Sequence, residues 1–303
     1  MAATAWWNDF QYSGGAMRVK ATGARVPVEP VLAASCLRWL AFHLAVEAER
    51  RVVDADGPAV WFAPQRPRPW YLVWPVMALA GLRFARRPEE ADLAFHFQDA
   101  TLCDPVALPA INGACLDISK SRVAAVFEQV SGRALALDPE TAAAPFVEKG
   151  ETNAAHDGAI RFAPCPPAPG RVYQRLIDTA QPDGMVEDWR CCMVDGRIGA
   201  VLLKRRPAGS RFSNANHAIR IVDTPDAFSA EEAAMIERFA GAMGLEWGGI
   251  DVLRERATGL IWVVDANRTD LGPPAALSLK AKLALARTLA APMRTWAEGL
   301  AAR

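Results

Sequence analysis

Two long runs of β-forming residues meet at Asp195-Gly196, in the segment VEDWRCCMV-DG-RIGAVLLKRR, and this junction restricts the fold more than any other feature of the chain. Asp-Gly between alternating strands is a strong hairpin signal, because both central residues of a type I′ turn need positive φ. Regular pairing from that turn puts Arg190 opposite Val201 and Arg205 further out on the same face, while Lys204 and Arg206 point the other way. Two guanidiniums on one face suit phosphate or carboxylate groups, since each offers a planar fork of donors. The plainer alternative is a solvated charge cluster at a strand end, with Glu187 and Asp188 as local partners.

A second hairpin follows in GGIDVLRER-ATG-LIWVVDANRT. A three-residue loop Ala257-Thr258-Gly259 places Gly at the left-handed position that such loops favour. That register pairs Arg256 with Leu260 and Asp251 with Asp265, and puts Asn267 on the same face as Asp265. Carboxylates directly opposite one another repel unless a positive charge lies between them. A hard divalent cation with oxygen ligands suits the position, with phosphate oxygens and water completing its shell. Solvated aspartates on an exposed face are the alternative, although Trp262, Val263 and Val264 mark the flanking strand as buried.

Elsewhere the chain reads as mixed α and β. Residues Pro30 to Arg50 carry apolar residues at helical spacing, PAVWFA (Pro58 to Ala63) and ADLAFHF (Ala91 to Phe97) read as buried strands, and the apolar stretch Trp70 to Leu82 reads as a helix. This order suggests a small α/β layer with a mainly parallel sheet. A helix from near Ser119 to Ser131-Gly132 precedes short strands at ALAL (Ala134 to Leu137), PFVEKG (Pro145 to Gly150), AIRFAPC (Ala159 to Cys165) and RVYQRLID (Arg171 to Asp178). A helix from about Ser229 to Met243 and a long Ala/Leu-rich helix at the C-terminus complete the pattern.

Lys149 lies in an apolar strand before the loop GETNAAHDG, whose donors suit phosphate, and no Walker A motif occurs. Its plain alternative is a strand-end lysine that reaches water. His156 reads as a polar loop residue, His43 as a core histidine and His96 as a strand residue. Six cysteines without C-x-x-C spacing, two of them the neighbours Cys191 and Cys192, read as core thiols rather than zinc ligands. Lys plus Arg equals Asp plus Glu at 34 each, so bulk charge argues neither for nucleic acid nor for an anionic membrane surface. The start MAATAWWNDF lacks a signal-peptide pattern and the apolar stretch is too short to span a bilayer, which points to a cytoplasmic protein.

Taken in order, DISKSRVAAVF, FVEKGETNAAHDG, VYQRLID, EDWRCCMVDGRIGAVLLKRR, RFSNANH and GGIDVL…WVVDANRT resemble the ATP-grasp superfamily, particularly the ribosomal-protein glutamate ligases and related carboxylate–amine ligases. The likeness runs from about Leu108 to the C-terminus. It implies an ATP-grasp-like two-lobed nucleotide-binding fold of the α/β (α+β) class, preceded by a small α/β N-terminal domain. The expected segments are an acceptor-side domain over 1–107, a small lobe over 108–178 and a large lobe with the metal site over 179–303. The resemblance implies that Lys120 and Lys149 hold ATP phosphates. Adenine would pack on the strand containing Gln174, its edge read by Arg175, Leu176 and Ile177, with Asp178 at the ribose and Asn214 in the segment that commonly follows. Arg190 and Arg205 would serve the transferred phosphate, and Asp251, Asp265 and Asn267 would ligate magnesium, or manganese in its place. Asp265 stands where the family usually has glutamate, and the loop after Lys149 is not the usual glycine-rich phosphate cover.

The implied activity is an ADP-forming ligase that joins a small-molecule or peptide carboxylate to an amine or other nucleophile through an acyl phosphate. A kinase acting on a small-molecule hydroxyl and a nucleotide-binding module without turnover are the alternatives, since fold does not dictate function.

Overall fold

The computed structural model describes residues 10–19, 25–27, 30–107, 109–153, 155, 157–213 and 216–303. A short antiparallel meander, β1 (Phe10–Ser13), β2 (Ala16–Val19) and β3 (Arg25–Pro27), leads into helix α1 (Pro30–Arg50). Then come β4 (Ala59–Pro64), α2 (Val73–Leu79), β5 (Arg83–Phe84), β6 (Leu93–Phe97) and β7 (Ala110–Ile111). These four strands form one parallel sheet in the order β5-β4-β6-β7, as the alternation of helix and strand predicts. The meander was not anticipated from the sequence.

Helix α3 (Lys120–Ser131) starts where Ser119 accepts a hydrogen bond from the Arg122 amide and stops at Gly132, whose φ of 69° is left-handed. It precedes a small antiparallel sheet of β8 (Phe146–Gly150), β9 (Ala159–Arg161) and β10 (Arg171–Arg175), in the order β10-β8-β9. The strand expected at Ala134 to Leu137 is instead a single bridge from Ala136 to Gln174, and the strand expected to run to Asp178 leaves the sheet after Arg175.

The last part contains β11 (Met185–Val194), β12 (Arg197–Pro207), β13 (Ala218–Val222), α4 (Thr224–Ala227), α5 (Ala230–Met243), β14 (Gly248–Arg254), β15 (Ile261–Asn267) and α6 (Leu279–Ala301). Its five strands form an antiparallel sheet ordered β13-β12-β11-β14-β15. The helix expected from Ser229 has a capping box, in which Ser229 and Glu232 satisfy each other's amides.

Alternation along β11 places Cys191 in a core with α3 and α5, and Cys192 in a core with α2, α6 and the parallel sheet. Thus one face of the large sheet is apolar where Cys191, Val201 and Ile250 meet α3 and α5, and becomes charged toward Glu187 and Arg205 at the far ends of β11 and β12. The opposite face is apolar where Cys192, Ala200 and Leu202 meet α6, then becomes charged at Asp188, Arg190, Lys204, Arg206, Asp251 and Asp265. Among the described residues, no helix is long and apolar enough to cross a membrane.

Candidate functional site

Each hairpin that builds the charged face contains a bulge, and the two bulges act differently on the expected register. In the first, Asp195 and Gly196 have φ of 55° and 66°, the left-handed pair a type I′ turn requires. Pairing runs Val194 to Arg197 and Met193 to Ile198, then shifts so that Cys192 faces Ala200. The unpaired residue is Gly199, where an added Cβ would lie 2.8 Å from Leu289 on α6. From that point Arg190 lies opposite Leu202, not Val201. One extra residue exchanges the two faces of a strand, so Lys204 and Arg206 join Arg190 on the cleft side and Arg205 turns away. Arg205 pairs with Asp183 and Glu187 outside the cleft, which corrects its expected place near a transferred phosphate. A glycine inside a strand was the signal that should have raised a bulge.

In the second hairpin the inner pairs are Arg254 to Ile261 and Val252 to Val263, so Arg256 does not pair with Leu260 as expected. A bulge between Asp251 and Val252 then restores Asp251 opposite Asp265, as expected, by a route the sequence reading did not contain. The Val264 carbonyl accepts a hydrogen bond from Lys149 Nζ at 3.2 Å.

The charged face and the small sheet border an open cleft of about 200 Å³. Of the expected residues, Lys120, Lys149, Gln174, Arg175, Leu176, Ile177, Asp251 and Asp265 line it, joined by Asp157, Asp188, Arg211 and Phe212, to which the sequence reading had assigned no site role. Lys120 Nζ contacts the Asp265 carboxylate and lies 3.4 Å from Asn153 Oδ1. Asp251 accepts from Lys204 Nζ at 2.8 Å and lies 3.1 Å from Arg190 Nη1. Arg206, 7% exposed, donates to Asp188 and, at 2.8 Å, to the Arg211 carbonyl, which ties the loop after β12 to the cleft.

Other expected residues lie differently. Asn267 is not in the cleft lining; its Oδ1 accepts from the Thr269 amide at 2.9 Å, so it closes the turn that follows. Asp178 is exposed and its carboxylate accepts from the Ala180 amide at 3.0 Å. The Arg175 amide is committed to the Leu135 carbonyl at 2.8 Å, while Leu176 and Ile177, beyond the end of β10, line the cleft beside it. Gln174, 2% exposed, donates to the Lys120 carbonyl at 3.2 Å and so braces the start of α3. Arg190 holds Asp251 and Asp270 from behind the cleft lining. Asn214 and His156 lie outside the described residues.

Burial acts differently on the two sides of the cleft. It pushes the Lys149 ammonium down to about 8, with Lys120 adding repulsion. Burial opposes the Asp251 carboxylate too, but Arg190 and Lys204 outweigh it and hold the carboxyl well below the usual range. At Asp188 burial prevails over Lys204 and Arg206 and raises the pKa.

A lysine held low in the folded state favours unfolding while it is charged there. Relative to Lys149→Met, wild type should therefore be less stable below pH 8 and regain stability as pH rises from about 8 toward the unfolded value near 10.5. Urea midpoints of both proteins across pH 7 to about 10.5 check this; a gap that does not narrow would place the ammonium in water.

The carboxylates offer hard oxygen donors directly opposite each other, which fits magnesium. Among the described residues no group of three or more His, Cys, Asp or Glu side chains is arranged to hold an ion. The donor set therefore fits a cation that arrives with further oxygen ligands, such as phosphate.

No protein-family profile matches the sequence, and no similar curated protein is found. Among solved structures, the chain is similar to the ATP-grasp ligase PsnB complexed with minimal precursor, at 16% identity and a TM-score of 0.39, over 59% of this chain and 65% of PsnB. It is similar to D-alanine–D-alanine ligase from Bacillus anthracis at 10% identity and a TM-score of 0.47, over 80% of this chain and 97% of that one. An L-amino acid ligase from Bacillus licheniformis is similar at 12% identity and a TM-score of 0.37, over 54% of this chain and 43% of that one. The chain thus spans less than two thirds of PsnB and of the L-amino acid ligase. None of these likenesses assigns a role to a residue of this chain.

Proposed function

We propose that the protein binds ATP with magnesium between the small β10-β8-β9 sheet and the five-stranded sheet and uses it to join a carboxylate to an amine, releasing ADP and phosphate. The observation that carries this reading is the cleft in which Lys120 and Lys149 meet the opposed carboxylates Asp251 and Asp265. Two lysines neutralise phosphate charge as the γ-phosphoryl group transfers, and Asp251 and Asp265 on the facing strands would hold the cation. Bound magnesium would add charge neutralisation at the phosphate oxygens.

The acceptor carboxylate oxygen attacks the γ-phosphorus and the bond to ADP breaks, giving an acyl phosphate. The amine nitrogen then attacks the acyl carbon, phosphate leaves with its bridging oxygen, and the amine loses a proton to solvent. The chain needs no cysteine nucleophile for this, and Cys191 and Cys192 are buried. Arg190 acts by holding Asp251. The backbone of Arg175, Leu176 and Ile177 supplies the adenine edge, and residues 1–107 the acceptor side. Within this reading the ribosomal-protein glutamate ligase branch is the finer assignment, with a small-molecule or peptide carboxylate as substrate. Binding without turnover is a second reading, favoured by the internal cations already seated on Asp251 and Asp265.

Melting temperatures with ATP alone, magnesium alone and both together test the site, because a ligand of the folded state raises stability by mass action. The expected result is a clear rise with both, followed by ADP release when a suitable carboxylate and amine are supplied. No rise at millimolar ATP with magnesium would end the nucleotide reading. A rise with no ADP under any carboxylate and amine would leave the binding module, and a phosphorylated hydroxyl product would make the protein a kinase.

A further inference from the structure

Asp270 has no task in the nucleotide reading, yet it is 5% exposed and its carboxylate sits on Arg190 Nη2. The other arm of the same guanidinium, Nη1, lies 3.1 Å from Asp251 Oδ2. An arginine fork commonly closes both arms on one carboxylate; here it is divided between two.

The surroundings maintain the division. An added Cβ at Gly249 would lie 2.2 Å from Arg190 Nε and 2.3 Å from Asp270 Oδ2, so this strand position leaves the space the pair fills. From the opposite side, the Leu72 amide at the start of α2 donates to the Asp270 carbonyl at 2.8 Å and fixes the backbone. Asp251 Oδ1, meanwhile, accepts from Lys204. Lysine is a point charge on a flexible stem and yields its place more readily than a seated guanidinium.

We propose that Asp270 is a positioning residue: by engaging one arm of Arg190 it prevents that arginine from clamping Asp251 with both, and so keeps Asp251 open to the divalent cation that accompanies the nucleotide. The inference rests on the ATP and magnesium reading above. With Asp270 neutral, both arms of Arg190 turn to Asp251, and the cation must break a buried bidentate pair to enter.

The test is a magnesium chloride titration at saturating ADP, followed by melting temperature, on the full chain as wild type, Asp270→Asn, Arg190→Met and the double variant. Asp270→Asn should raise the apparent magnesium constant at least tenfold while ADP binding without metal stays within twofold. On the Arg190→Met background the same change should have no effect. An unchanged magnesium constant in folded Asp270→Asn overturns the proposal. So does an equal loss on both backgrounds, which would mean that Asp270 acts only through its own charge. If Asp270→Asn does not fold, Asp270→Ser decides: it too leaves both arms of Arg190 free for Asp251, so its apparent magnesium constant should rise at least tenfold, and an unchanged constant overturns the proposal. A wild type that does not respond to ADP and magnesium overturns the nucleotide reading itself, which separates the two failures.

Discussion

Asp251→Ala is expected to destabilise the folded protein by about 3–5 kcal/mol, the usual cost of leaving buried charges without their partner. The change strips Lys204 of its carboxylate and leaves Arg190 with Asp270 alone; both cationic side chains are 14% exposed and converge on Asp251. Native proteins are stable by only about 5–15 kcal/mol, so a change of this size moves a urea midpoint far. The effect carries a pH signature. A carboxyl held below its ordinary value contributes stability that is full above about pH 4 and is lost as pH falls through the depressed folded value. The wild-type advantage should therefore shrink in acid and be constant near neutrality. A neutral-pH midpoint within about 1 kcal/mol of wild type would show that both cations can reach water without Asp251.

Asp265→Ala should remove the magnesium-dependent part of the stabilisation by ATP and lower ADP formation at least about a hundredfold, which corresponds to roughly 2.7 kcal/mol of transition-state stabilisation. Its carboxylate is directly opposite Asp251 and, among the described residues, forms its ion pair with Lys120. The complementary change, Lys120→Met, frees Asp265 and should strengthen magnesium binding without nucleotide while weakening ADP. On the proposed reading, the cation would take the place of Lys120 on Asp265 as phosphate draws the lysine away. Equal ADP formation in Asp265→Ala and wild type would remove this aspartate from the chemistry, and no gain of magnesium binding in Lys120→Met would show that the ion pair is not a competitor.

Much of the fold was legible because its signals are local. Ser119 and Ser229 mark helix starts by satisfying amides within one turn, and Gly132 marks a stop by its left-handed φ. The Asp195-Gly196 turn follows from two residues. Asp251 and Asp265 were singled out by the hairpin register, Lys149 by its place in an apolar strand and Lys120 by the order of motifs, and all four line one cleft. The N-terminal meander was missed because its strands are only three or four residues long, too short for periodicity to register.

The error at Arg205 and the success at Asp251 have one cause. Which face a strand residue occupies depends on counting from the turn, and a single bulge inverts the count. At Gly199 the inversion exchanged Arg205 for Lys204 and Arg206; at the second hairpin a changed turn register and a bulge compensated one another. Asn267 illustrates the same limit, because its partner Thr269 is set by the turn that docks beside Asp99 and Tyr71 rather than by strand alternation. The sequence by itself determined the hairpins, the helix boundaries, the mixed α/β class and the residue types of the cleft, all of which rest on interactions within a few residues. Only the tertiary structure decided which charges face the cleft and which pair behind it. Those outcomes depend on how closely Leu289 of α6 approaches the backbone at Gly199, and on the space at Gly249 that Arg190 and Asp270 share, contacts that bring together distant parts of the chain.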